Sequence, residues 1–227
     1  MADALYLSLW YPNLRLAALW EKLTAVLGEF ARHGGEPLAY STTVWPVSWH
    51  EPPVFQRVYG RAVQAVGDGA VQLGVEPQVA VQDALELLHD DYAYEFQIGW
   101  GLWELEHAPV PVAAINAGTG SSPHEADSRW VRRQRLVRVT GFGPLFDEGS
   151  YEQEGHIRID FGNDTPFLEE EAELDSNAAR LMAENVRRLV DLTNGVEKAS
   201  GATARLLWSE LGQSLAQRLA ARLSKGN

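Results

Sequence analysis

Apolar and polar residues alternate most regularly between Tyr92 and Leu105, in the stretch YAYEFQIGWGLWEL. Tyr92, Tyr94, Phe96, Ile98, Trp100 and Leu102 hold the even positions, while Glu95, Gln97, Gly99 and Gly101 fall among the odd ones. A period of two predicts a β-strand with one aromatic–aliphatic face. Rings such as Phe96 and Trp100 bury large apolar areas, so that face is expected to anchor the core. The odd face is expected to meet solvent or a second sheet.

The same reading, taken along the chain, predicts the other elements. Leu5, Leu7 and Leu9 alternate with Tyr6, Ser8 and Trp10 in a first strand. Leu16, Leu19, Trp20, Leu23, Leu27 and Phe30 recur at three and four, as in an amphipathic helix capped by Asn13 and stopped by Gly34-Gly35. Residues 37–47 are rich in β-branched and aromatic types and read as a strand, with Pro46 marking an edge or bulge. After Pro52-Pro53, the positions of Val54, Phe55, Val58, Tyr59 and Ala62 predict a helix over about 53–66. A short strand at 71–75 and a helix from Pro77 to Leu88 complete the first half. Strands are then expected at 110–117, 130–140 and 156–161, a long helix at 176–198 and a short strand at 203–208. A last helix carries Leu211, Leu215, Leu219 and Leu223.

With the extra helix set aside, the first half has the order βαββαβ, the ferredoxin-like plan. The fold expected is α+β, an antiparallel or mixed sheet with helices packed on one face. Residues 1–108 would form a ferredoxin-like module and residues 109–227 a second α+β module packed against it. One continuous domain is the alternative, because the connection 106–111 is too short and apolar for a flexible linker.

Composition narrows the function. The 227 residues are 45% hydrophobic and 22% charged, ordinary for a soluble globular protein. They contain no cysteine, which excludes disulfides, thiol catalysis and thiolate metal sites and fits a reducing compartment. The net charge of −12 disfavours phosphate backbones and anionic lipid, so neither nucleic acid nor membrane is expected as a partner. The start, MADALYLSLWYPN, lacks the basic and apolar regions of a signal peptide, and no apolar run approaches the ~20 residues that span a bilayer. A cytoplasmic location is expected.

Several groups could carry chemistry. Glu154, His156, Arg158 and Asp160 alternate with Ile157, Ile159 and Phe161, and Glu152 precedes them. On one face of a strand, two carboxylates and an imidazole could bind a divalent metal or act as acid and base. The plainer reading is that Arg158 neutralises its acidic neighbours on a solvated face. Arg129, Arg132, Arg133, Arg135 and Arg138 are the basic concentration of an acidic chain. Arg133 and Arg135 could grip a carboxylate or phosphate, or pair across strands with Glu152, Glu154 or Asp160. Trp45 and Trp49 lie near Pro46 and Pro52 and could form an exposed stacking surface or roof the core. The loop AGTGSSPHEADS lacks the lysine of a phosphate loop and the elbow of a serine hydrolase.

No catalytic motif is complete and no cofactor is implied. The expectation is a non-catalytic protein that acts by binding, in the manner of an acidic inhibitor or immunity-like protein whose partner has a basic surface. A metal-dependent hydrolase using Glu154, His156 and Asp160 is the competing expectation. A homo-oligomer joined through the aromatic sheet face is a third.

Overall fold

The computed structural model describes residues 3–34, 38–60, 74–106, 129–168, 175–210 and 218–219. Its longest strand, β4 (Tyr92–Glu106), is the stretch of strongest alternation. Its partner β5 (Arg129–Phe142) pairs with it antiparallel from Ala93↔Phe142 to Glu106↔Arg129. The other strands are β1 (Ala4–Trp10), β2 (Ala39–Pro46), β3 (Phe55–Val58), β6 (Ile157–Asn163) and β7 (Ala204–Ser209). All seven form one sheet in the order β3-β2-β4-β5-β6-β1-β7, with every pairing antiparallel. The helices are α1 (Leu19–Gly34), α2 (Pro77–Leu85), the one-turn α3 (Ser150–Gln153) and α4 (Thr165–Leu168), and α5 (Ser176–Ser200). The fold is α+β.

One apolar layer holds sheet and helices together. Tyr94, Phe96, Ile98, Trp100 and Leu102 from β4 meet Leu23 and Phe30 of α1, Val81 of α2 and Leu189 and Val196 of α5. Leu5, Leu7 and Leu9, Val137 and Val139, and Ile157 and Ile159 extend the layer across β1, β5 and β6. Trp100 is its largest fully buried side chain. The Phe30 ring stands edge-on to it at 5.8 Å and 87°, and Phe161 lies 5.5 Å away, the geometry that aromatic quadrupoles favour. The long helix α5 is closed at both ends. The Asp175 carboxylate accepts from the Ala178 N–H at 2.7 Å, and Gly201 takes the left-handed conformation at φ 72°. No helix among the described residues is long and apolar enough to cross a membrane.

The structure departs from the expected pattern at four places. Where a helix was expected from residue 53, Phe55–Val58 is the edge strand β3, paired to β2 through Val44↔Phe55 and Ser41↔Val58. Val54 and Val58 of the apparent helical stripe are exposed, so that stripe was never a buried one. Hairpin pairing therefore outweighs local periodicity. Asn13 sits in a turn at φ 50°, and a 3-10 turn at Leu16–Ala18 separates it from α1, so it does not cap that helix. The ferredoxin-like order would place β1 among strands of its own half. Instead β1 lies between β6 and β7. The one-turn helices α3 and α4 were not anticipated. The strand expected at 110–117, the loop AGTGSSPHEADS and most of the last helix lie outside the described residues.

Trp100→Ala is expected to lower stability by about 3–5 kcal/mol, the range for truncating a buried aromatic. Leu206→Ala, at an exposed position of β7, should change it by less than about 0.5 kcal/mol. Urea denaturation of the two variants measures the contrast.

Candidate functional site

β2 ends, β4 and β6 begin and β5 ends at the same edge of the sheet. There the chain builds a second, smaller apolar cluster from Ala93, Phe142, Phe146 and Tyr151, with Trp45 and Trp49 packed on it. Trp49 is the hub. Its ring stands nearly perpendicular to Phe146 at 5.1 Å and to Phe142 at 6.1 Å, and edge-on to Trp45 at 5.7 Å. Trp45 and Trp49 are both half-buried. They cover this cluster, and the core beneath the helices is a different one.

Three loops cross the cluster and are tied to one another through backbone. The Val47 N–H donates to the Asp91 carbonyl at 2.7 Å, and the Val47 carbonyl accepts from the Asp147 N–H at 2.8 Å. The Leu145 N–H donates to Asp90 O at 2.8 Å and the Gly143 N–H to Tyr92 O at 2.7 Å. Gly143 is required by this close approach, since a Cβ there would overlap the Asp90 carbonyl oxygen. Val47, Asp147 and Glu148 sit at φ 56°, 46° and 32°. Such left-handed positions cost of order 1–3 kcal/mol each for residues other than glycine, and a β-branched residue there is an outlier.

The tied loops put particular side chains at the surface. Val47 is 53% exposed and Leu145 69%. The three loops are rich in carboxylates. Segment 47–54 carries Glu51, segment 86–91 carries Glu86, Asp90 and Asp91, and segment 143–156 carries Asp147, Glu148, Glu152 and Glu154. None of the three segments contains a lysine or an arginine. The loop edge therefore combines two exposed apolar side chains, an aromatic base and loops rich in carboxylates, of which Glu154 is paired with Arg158 of β6.

The residues singled out around β6 are placed near this edge, each in its own setting. Glu154 closes α3 and Gly155 follows at φ 98°, so the strand begins only at Ile157 and the expected alternation from Glu154 is broken. His156 is buried, its Nδ1 accepting from the Tyr11 N–H at 3.0 Å and its ring stacked on Tyr151 at 4.0 Å. Burial pushes the imidazole pKa down, opposed by the Glu152 charge. Glu154 pairs with Arg158, and Asp160 pairs with Arg138 and accepts from the Gly162 N–H at 2.8 Å. No group of three or more His, Asp or Glu suited to a metal is found among the described residues. The Arg158 guanidinium lies among the rings of Phe142 at 5.5 Å, Tyr6 at 5.7 Å and Trp49 at 6.0 Å. Its ring of aromatic neighbours had no signal in the local pattern, because they come from three separate segments.

Arg133 and Arg135 are placed at the opposite end of the β4–β5 hairpin. Arg133 and Arg129 both pair with Glu106, and Arg135 pairs with Glu104 at 2.8 Å and donates to the Asn163 carbonyl and side chain. The pairs do run across strands, with glutamates of β4 as partners. A shallow pocket of about 190 Å³ lies here between Trp103, Trp130, Arg135 and Pro166. No protein-family model matches the chain, and no curated protein and no solved structure matches it.

The His156 environment gives a signed pH dependence. Its folded pKa lies below the unfolded value of about 6.5, so the unfolded chain binds the proton first. Its contribution is intact above that value and is lost as pH falls through it. Urea denaturation between pH 7.5 and pH 5.5 should show a smaller loss of stability in His156→Gln than in the wild type.

Proposed function

We propose that this chain is a non-catalytic binding protein of the acidic inhibitor or immunity-like kind, that the loop edge around Trp49 is its contact surface, and that its partner is a protein with a basic surface. The observation that carries this reading is the exposure of Val47 and Leu145 on loops that carry carboxylates and no lysine or arginine. Apolar side chains at the centre of an interface supply affinity, and charges at its edge steer encounter and select the partner. The backbone bonds that tie the three loops limit the ordering cost of binding. The net charge of −12 adds a long-range attraction to a cation-rich surface. The lack of cysteine agrees with work in a reducing, cytoplasmic setting.

The competing reading, a metal-dependent hydrolase using Glu154, His156 and Asp160, has less support. A metal or an acid–base pair needs these groups to converge, and each is held by a different neighbour. A homo-oligomer through the aromatic side of β4 has less support too, because that side is filled by α1, α2 and α5.

Affinity capture from a lysate of the source cell, with Leu145→Arg/Glu148→Lys as the control, tests the reading. A basic protein should be retained by the wild type at low salt, released at about 1 M salt where the Debye length is near 3 Å, and bound at least tenfold more weakly by the variant. Retention unaffected by salt and by the double substitution would overturn it. Val47→Gly should weaken the same complex while leaving stability within about 1 kcal/mol, because glycine relieves the left-handed strain but raises the entropy of the unfolded chain.

A further inference from the structure

The far end of the β4–β5 hairpin holds the pocket of about 190 Å³ noted above. It lies where β6 ends at Asn163 and α4 begins at Thr165, against the outer half of the hairpin. Trp103 and Leu105 of β4, Trp130 of β5 and Pro166 of α4 give it apolar and aromatic lining. Glu104, Arg135, Asn163 and Thr165 give it polar lining.

The polar groups are gathered around Arg135. Its Nε faces Glu104 Oε1 at 2.8 Å. Its Nη1 donates to the Asn163 carbonyl at 3.1 Å and its Nη2 to Asn163 Oδ1 at 3.0 Å. A guanidinium carries five N–H donors in a rigid fork, so each terminal nitrogen keeps one more beyond these contacts. The Arg135 and Glu104 side chains are each 23% exposed, so water or a ligand can reach both.

This lining selects among ligand classes. Arg135 and Glu104 cancel in charge, which leaves the pocket polar but neutral. An anion would meet Glu104 and the net charge of −12, and a cation would meet Arg135. A purely apolar ligand would strip water from donors and acceptors without replacing it. A hydroxyl both donates to a carboxylate and accepts from a guanidinium. A ring bearing several hydroxyls also has an apolar C–H face, and the negative face of a tryptophan ring attracts such polarised C–H groups. Size points the same way. A cavity of about 150 Å³ accepts a benzene-sized ring, so this pocket has room for one substituted six-membered ring and not for a chain of them.

We propose that this pocket is a binding site for a neutral carbohydrate, which places one sugar ring against Trp103 and Trp130 and shares its hydroxyls among Glu104, Arg135 and Asn163. The site is separate from the protein-binding surface. Ala93, beside Trp45 in the sheet, and Trp103 are roughly 30 Å apart along one strand.

Saturation-transfer NMR with a panel of neutral hexoses, pentoses and N-acetylhexosamines and the matching uronic acids tests it. A concentration of about 10 mM occupies a site of millimolar dissociation constant. At least one neutral sugar should take up saturation from the wild type, and its uronic acid should take up less. Trp130→Ala should weaken binding about tenfold or more by removing a ring. Arg135→Lys should do the same, because it keeps the charge beside Glu104 but loses the fork. Both positions are only half-buried, and an unchanged thermal midpoint confirms that each variant is folded. Trp49→Ala, at the other end of the hairpin, should leave sugar binding unchanged, which separates this site from the loop edge. Absence of saturation in every neutral sugar, undiminished binding in Trp130→Ala and Arg135→Lys, or loss of binding in Trp49→Ala would overturn the proposal. A uronic acid bound more tightly than its neutral parent would overturn it as well, since the pocket would then select an anion.

Discussion

Burial of the even side of β4 is the constraint from which the remaining architecture follows. Five large side chains, Tyr94 to Leu102, must leave water together, and each contributes roughly 1.5–3 kcal/mol when it does. A single strand cannot supply that shelter. β2 and β5 extend the surface to either side, and α1, α2 and α5 close over it. Because the helices take one side only, the other side of the same strand is left with Glu95, Gln97 and two glycines. The buried layer and the polar outer row are thus two consequences of one alternation.

That alternation is why much of the fold could be read in the residues. A period of two over Tyr92–Leu105 is a local property, and so is the three-and-four spacing of Leu19, Leu23 and Phe30 in α1. Strand order is different in kind. β1 pairs with β6 and β7, more than 140 residues away at Leu9↔Ile157 and farther still at Leu9↔Arg205. No periodicity near residue 9 specifies those partners, and the choice is made by how the complete sheet fits under its helices. β3 fails to read for a related reason. Its four residues look helical by spacing, and only the pairing with β2 makes them extended.

The candidate site was legible in its parts and not in its assembly. Trp45 and Trp49 stood out as aromatics between prolines, but Phe142 and Phe146, which receive them, lie about a hundred residues on. His156 and Glu154 looked like neighbours on a strand face until Gly155, at φ 98°, turned the chain between them. Val47 gave no signal at all, since valine is a residue one would never assign to the left-handed region. The charge is also less uniform than the total of −12 suggests. Glu104 and Glu106 pair with arginines at the far end of the β4–β5 hairpin, while the loops near Trp49 carry carboxylates and no lysine or arginine of their own, and Arg158 of β6 pairs with one of them, Glu154.

The strain at that edge bears on what the edge is for. Gly149, two residues past Asp147, shows that the chain uses glycine for positive φ in this region, at φ 111°. Glycine at 47, 147 or 148 would remove a cost of order 1–2 kcal/mol per position. It would also remove an isopropyl group and two carboxylates from the surface. A loop needed only to connect β2 to β3, or β5 to β6, gains nothing from keeping those side chains in an unfavourable conformation. The bonds from Val47 to Asp91 and from Asp147 to Val47 offset part of the strain and hold the three loops in one shape. On the reading proposed above, a surface held in this way has little left to order when a partner docks, and binding is where the stability given up at these positions would be recovered.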